Sequence, residues 1–187
     1  IALPTNTQNK HIINEDSQDI DITDSNVFDT NRYAGSDRIE DGLRLAYGAR
    51  GSGHLYDTEY PTYNFLIGQN YRFRKSNEYS TISGLNKTKF SDYVGKVSVK
   101  TSSIIDLQYM FQIDKSNYKF RRSEVGSTFT FDAEGQINKI VLDCRWSSYN
   151  YKKDIYDVDQ AIAAGVAVHF LKEWNVGAGF TENIFKG

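Results

Sequence analysis

From residue 43 onward, apolar and polar side chains alternate along the chain with a period of two. In the stretch 63–74 the odd positions Tyr63, Phe65, Ile67, Gln69, Tyr71 and Phe73 are mostly aromatic or aliphatic. The even positions Asn64, Leu66, Gly68, Asn70, Arg72 and Arg74 are mostly polar or small. Successive strand side chains point to opposite faces, so this pattern predicts a strand with one apolar and one wet face. The same alternation sets Ile105, Leu107, Tyr109, Phe111 and Ile113 against Asp106, Gln108, Met110 and Gln112. It returns with Ile140, Leu142, Cys144 and Trp146 against Lys139, Val141, Asp143 and Arg145. Shorter runs follow it over 43–49, 93–99, 125–131, 162–170 and 174–180. Together they predict an all-β fold, an antiparallel meander of about eight strands. The connectors fall at 50–62, 75–89 and 132–136. The Ala-rich run 159–174 competes as a helix, but Gly165, Val166 and Val168 favour a strand.

The stretch 24–42 has neither period, yet it holds Val27, Phe28, Tyr33 and Ile39 among seven charged side chains. It reads as a structured loop that buries Phe28 and Tyr33 while facing water. The chain therefore divides into a long loop, 1–42, and a strand region, 43–187.

Two architectures share this alternation. The polar face, with Arg44, Arg72, Arg74, Lys96, Lys100, Asp106, Asp143, Arg145 and His169, suits either a wet surface or a wet lumen. The apolar face carries aromatics near strand ends (Tyr63, Phe73, Trp146, Phe170, Trp174, Phe180), as membrane barrels do at their two interfaces. Connectors alternating between long and short also suit an outer-membrane barrel. A soluble sandwich shows the same alternation, so the pattern alone leaves both open.

Composition narrows the rest. Hydrophobic residues at 39 % and charged residues at 25 % argue against a disordered chain. A net charge of −2 gives no electrostatic reason to expect nucleic acid. The single cysteine, Cys144, allows neither an internal disulfide nor a cysteine metal cluster. No run reaches the roughly 18 apolar residues of a membrane helix. The opening IALPTNTQNK shows no initiator methionine and no signal-like apolar core, as expected of a mature protein or a fragment.

The residues offer little covalent chemistry. His11, His54 and His169 lack metal-ligand spacing, and no G-x-S-x-G elbow occurs. The Gly-rich GARGSG, 48–53, lacks the Lys-Ser/Thr of a phosphate loop and reads as a turn. Asp16, Asp21, Asp24, Asp29, Asp37, Glu40 and Asp41 do not match a calcium loop and read as a solvated acidic face. The expectation is a protein with no catalytic residues, metal or cofactor.

The loop and its neighbours resemble a known family. Asp16-Ser17, Asn26-Val27-Phe28, Asn31-Arg32-Tyr33, Gly35, Asp37-Arg38 and Tyr47-Gly48 follow, in order, the pattern of the LPS-assembly protein LptD, also called organic solvent tolerance protein (OstA, Imp). Further matches are GQNYRFR (68–74), GLNKTKFSDYVGKV (84–97) and YKFRRSEVG (118–126). The resemblance implies part of a large β-barrel in the Gram-negative outer membrane, releasing lipopolysaccharide (LPS) into the outer leaflet. It implies a plug lipoprotein (LptE-like) in the lumen and a periplasmic LPS bridge (LptA-like) reached through an N-terminal domain. That domain, the strands expected after Gly187, the exit between first and last strands and the family's disulfides would lie outside this chain. The loop motif Asn26, Phe28, Asn31, Arg32, Tyr33, Gly35, Asp37 and Arg38 would pin the loop or line the sugar path; for Asp37 and Arg38 both readings are physically allowed. Arg72, Arg74, Lys96, Arg121, Arg122 and Arg145 are candidates for phosphorylated sugars, because guanidinium pairs bidentately with phosphate. A general porin or receptor barrel, or a soluble all-β binding module, remain the rivals.

Overall fold

A computed structural model of the chain describes residues 21–32, 42–54, 59–74, 85, 88–133, 137–150, 160–171 and 173–184. They form one sheet of eight strands in sequential order: β1 (Arg44–His54), β2 (Thr62–Arg72), β3 (Tyr93–Lys100), β4 (Ile105–Ile113), β5 (Phe120–Asp132), β6 (Ile137–Tyr149), β7 (Gln160–Phe170) and β8 (Trp174–Ile184). This is the antiparallel meander that the alternation predicts. β1 and β8 stand at the two ends of the order, so the sheet is not closed on itself, as suits part of a barrel. Among the described residues there is no second sheet for a sandwich to pack against.

Contacts divide the chain into two compact units. The first holds Ile1–Ala49, Leu66–Gly95 and Gln112–Lys119; the second holds Arg50–Phe65, Lys96–Phe111 and Phe120–Gly187.

In the second unit, register keeps the two faces apart. Val125 faces Trp146, which faces Ile162, and Phe129 faces Leu142, which faces Val166 and then Ala178. Phe131, Ile140, Val168 and Val176 form the next row. Cys144 sits in this face between Ser127 and Ala164. Between these rows run the opposite-facing ones: Thr128, Asp143, Gly165 and Gly179; Gly126, Arg145, Ala163 and Thr181. A slip of one residue would exchange the faces entirely. Stacked Phe170 and Trp174 rings, 6.4 Å apart, flank the tight β7–β8 connection.

GARGSG is not a turn: it lies inside β1, which runs on to His54. Its glycines make room for cross-strand rings. A Cβ on Gly51 would lie 2.5 Å from Phe65 Cε1, and one on Gly53 2.6 Å from the Tyr63 hydroxyl. A ring laid over a strand glycine covers backbone that the missing side chain leaves bare. β5 likewise starts earlier than its alternation suggested, at Phe120.

The first unit holds the buried apolar cluster of Ile22, Val27, Leu85 and Val94, with Leu66 packed against it. Leu66 of β2 and Val94 of β3 occupy even positions, which in those two strands otherwise carry polar or small side chains. These two apolar exceptions mark where segment 21–32 docks.

Gly51→Val is expected to destabilise the sheet by about 1–3 kcal/mol, because the Phe65 ring must leave its rotamer or the strands must part. Gly165→Ala, whose added carbon meets only the Ala178 carbonyl at 3.6 Å, should leave stability unchanged. Urea midpoints of the full-length protein in lipid vesicles check both.

Candidate functional site

Segment 21–32 is built around Asn26. Its side-chain carbonyl accepts from the Thr23 amide at 2.9 Å, and its amide nitrogen donates to the Asp21 carbonyl at 2.9 Å. The Val27 amide donates to the Thr23 carbonyl at 3.0 Å, and the Asp29 amide to the Asn26 carbonyl at 3.0 Å. A side chain that mimics a backbone turn in this way is what Asn does best. The coiled segment presents Val27, fully buried, to the sheet.

Arg32 ties the segment down. Its Nε donates to the Asn26 carbonyl at 3.1 Å, and Nη2 donates to the side-chain oxygen of Asn70. Asn70, fully buried on β2, returns a bond from Nδ2 to the Val27 carbonyl at 3.0 Å. Its own amide donates to the Ser91 hydroxyl at 2.9 Å, and the Ser91 amide donates to its carbonyl at 2.9 Å. Arg44 Nη2 donates to the Thr30 carbonyl. Every link is a buried or half-buried polar group meeting a partner, and leaving one unmet would cost about 1–3 kcal/mol.

Close approach completes the dock. The Phe28 ring tip lies 2.9 Å from where a Cβ on Gly48 would stand and 3.1 Å from one on Gly68. Phe28 nonetheless stays 42 % exposed, so Val27 together with Ile22, not Phe28, is what this segment buries. The reason is geometric: Val27 points at the strands, while Phe28 lies along two glycines with its outer face uncovered. Asn31 is exposed. Tyr33, Gly35, Asp37 and Arg38 lie outside the described residues.

The basic candidates separate. Arg72 is only 3 % exposed, its guanidinium resting against Gly42, whose φ of +86° only glycine adopts at no cost. A sugar phosphate does not reach it in this arrangement. Arg74 is exposed just past the end of β2, and Lys96 is half-buried in β3. Arg121 and Arg122 are half-buried; Arg122 Nε donates to Glu124 at 2.6 Å, and the Tyr149 hydroxyl donates to the same oxygen at 2.8 Å. Arg122 therefore balances a buried carboxylate within the wall. Arg145 is exposed, opposite Gly126 and Ala163.

Beside Arg145 the polar face is made of small residues. Ala161, Ala163, Gly165 and Ala167 of β7 face Asn183, Thr181, Gly179 and Gly177 of β8. Asp143, Arg145, Ala163, Gly165, Gly179 and Thr181 border a shallow hollow of about 430 Å³ there. Asp143 accepts from the Thr128 hydroxyl at 2.6 Å, which fixes its carboxylate beside Arg145. The alternation in 161–169 and 175–183 reveals which face these residues take. That both strands bring only small polar-face residues to one place needs the register.

A family model described as "LptD: LPS transport system D" matches residues 1–165. Neither curated proteins nor solved structures give a match.

Arg32→Ala removes the donor that Asn70 and the Asn26 carbonyl share. It should cost about 1–3 kcal/mol locally, raising amide hydrogen exchange at Val27 about 5- to 150-fold. Amides in β6 and β7 should exchange as before.

Proposed function

This chain belongs to the LptD family, and on that footing we propose that it is a stretch of barrel wall in the outer-membrane LPS translocon. Its work is LPS transport at the outer membrane. In the proposed arrangement the apolar face of the sheet meets lipid, and the polar face lines the route of the LPS sugar into the outer leaflet.

The observation that carries this reading is the uncovered apolar face of β5–β8. Val125, Leu142, Trp146, Ile162, Val166, Val176 and Phe180 are neighbours across four strands, and all of them are exposed. Burying a side chain of this kind is worth about 1.5–3 kcal/mol, so a face of them has a strong preference for a non-aqueous neighbour. A bilayer supplies one. Aromatic clusters sit where interface girdles belong: Tyr71 with Phe73 and Phe90, and Phe170 with Trp174. Outer-membrane barrels turn short connections to the periplasm. The ends of the strands joined by 101–104 and 171–173 are therefore the periplasmic ends, and those joined by 73–92 and 150–159 face outward.

No step in this transport makes or breaks a covalent bond. The chain acts as a conduit fed by a periplasmic LPS bridge of the LptA type, the family's N-terminal domain providing the junction. Arg145, with Arg74 and Lys96, supplies charge for phosphorylated sugars as they pass. A plug lipoprotein of the LptE type rests against the polar face, where the Ala/Gly rows of β7 and β8 allow a partner's backbone to come close.

The expressed chain should partition into detergent and aggregate in buffer, its apolar face and two sheet edges being uncovered. A monodisperse monomer in buffer would sink the membrane reading. In the full-length protein, Ala163→Phe, on the small polar face, should cut co-purification of the plug lipoprotein at least about tenfold (1.4 kcal/mol or more). Ala178→Phe, on the apolar face, should leave it intact; equal recovery from both would remove the plug from this surface.

A further inference from the structure

Inside the second unit, β1–β4 enclose a separate hollow of about 290 Å³ at the ends joined by 55–61 and 101–104. His54, Glu59, Tyr60, Thr62, Asn64, Ser98, Lys100 and Asp106 line it, so one ammonium shares the hollow with two carboxylates. Asn64, Ser98, Lys100 and Asp106 come from the even, polar positions of three strands. The residues were legible as polar, but no local spacing unites them.

Three features distinguish the hollow from an ordinary wet surface. The Lys100 ammonium is held over the Tyr60 ring, 5.3 Å from its centroid, and forms no ion pair with any described residue. A cation placed by a ring rather than by a carboxylate keeps its full charge for an incoming anion. The Asp106 carboxylate takes no hydrogen bond from the described residues, which leaves acceptors open a few residues away on the neighbouring strand. His54 Nδ1 lies 3.2 Å from the Glu59 carbonyl and 3.4 Å from the Thr62 hydroxyl, which itself donates to that carbonyl at 3.1 Å. A carbonyl only accepts, so Nδ1 donates in this contact. The contact orients the ring across the strand ends it joins.

We propose that this hollow binds a sugar ring bearing a phosphate or carboxylate. Lys100 takes the anionic group, while Asp106, Asn64 and Ser98 exchange hydrogen bonds with ring hydroxyls. Ligand pockets run from about 300 to 1,000 Å³, so a hollow of this size suits one ring rather than an oligosaccharide. Its lining excludes acyl chains: an alkyl group would strip water from an ammonium and a carboxylate without replacing it. Given the proposed function, on which this inference rests, the ring belongs to the LPS carbohydrate. The site then holds that carbohydrate at the periplasmic ends of β1–β4.

The test is photocrosslinking in cells producing the full-length protein, with a photoreactive residue at Ser98 or, separately, at Thr181 on the small face of β8. Both positions should yield LPS adducts. Lys100→Met should lower the Ser98 adduct at least fivefold and leave the Thr181 adduct unchanged, while Lys100→Arg should restore the Ser98 adduct. Heat-modifiable mobility establishes that each variant is assembled. A Thr181 adduct without a Ser98 adduct, or a Ser98 adduct indifferent to Lys100→Met, overturns the site alone. Absence of adducts at both positions in assembled protein overturns the reading of the polar face as the LPS route, and the site with it. An adduct at Ser98 lacking acyl chains would assign the site to a free sugar phosphate instead of the glycolipid and overturn that part.

Discussion

Backbone pairing in register is the constraint from which the other features of this chain follow. In a bilayer, each strand N–H and C=O has to find its partner in the ladder, because no water is at hand to replace it. Register then decides more than hydrogen bonding. Matching Val125 to Trp146 and Ile162 puts Gly126, Arg145 and Ala163 together on the other face without any further instruction. The apolar face and the polar face are two outcomes of one pairing. Neither can be changed by sliding a strand without spoiling the other.

The docked segment 21–32 solves a different problem. It lies on the polar face, where a loop would ordinarily be held by little. Val27, Leu66 and Val94 supply a small dry contact, and Asn26, Arg32 and Asn70 satisfy the polar groups that the contact shuts away from water. The arginine is worth more as a connector than as a charge: it reaches a backbone carbonyl of its own loop and a side chain thirty-eight positions later. Arg44 repeats the device at Thr30. Basic residues of this face thus split into those consumed in holding the wall together and those, such as Arg145, left facing outward.

That split was not legible in the sequence, although the strands were. Alternation revealed all eight strands because each is long enough for a period of two to show. It also placed Lys100 and Asp106 on the polar face. It misled where glycine interrupted it: GARGSG looks like a turn until Phe65 and Tyr63 of the neighbouring strand are known to lie over Gly51 and Gly53. The Arg72 guanidinium lies close against Gly42, which has a positive φ, and the hollow beside Lys100 draws residues from four strands. Both are long-range facts with no local period. Phe28 was the natural candidate for burial by size, yet the smaller Val27 fits against the strands. The family motif singled out Asn26, Phe28, Asn31 and Arg32, and what each of these does physically needed the structure.

The Ala and Gly rows of β7 and β8 carry one more consequence. Substitution on the two faces of this sheet has different meanings. On the apolar side, exchanging one large side chain for another trims the fit to fluid lipid, which adjusts. At Ala163 and Gly165 an added carbon would project from the polar face, into the space that the proposed plug and passenger would share. At Gly177 and Gly179 it would instead stand 3.2 and 3.1 Å from the carbonyls of Val166 and Ala164, so those two glycines hold β7 and β8 at their spacing, and a change there is felt first in stability.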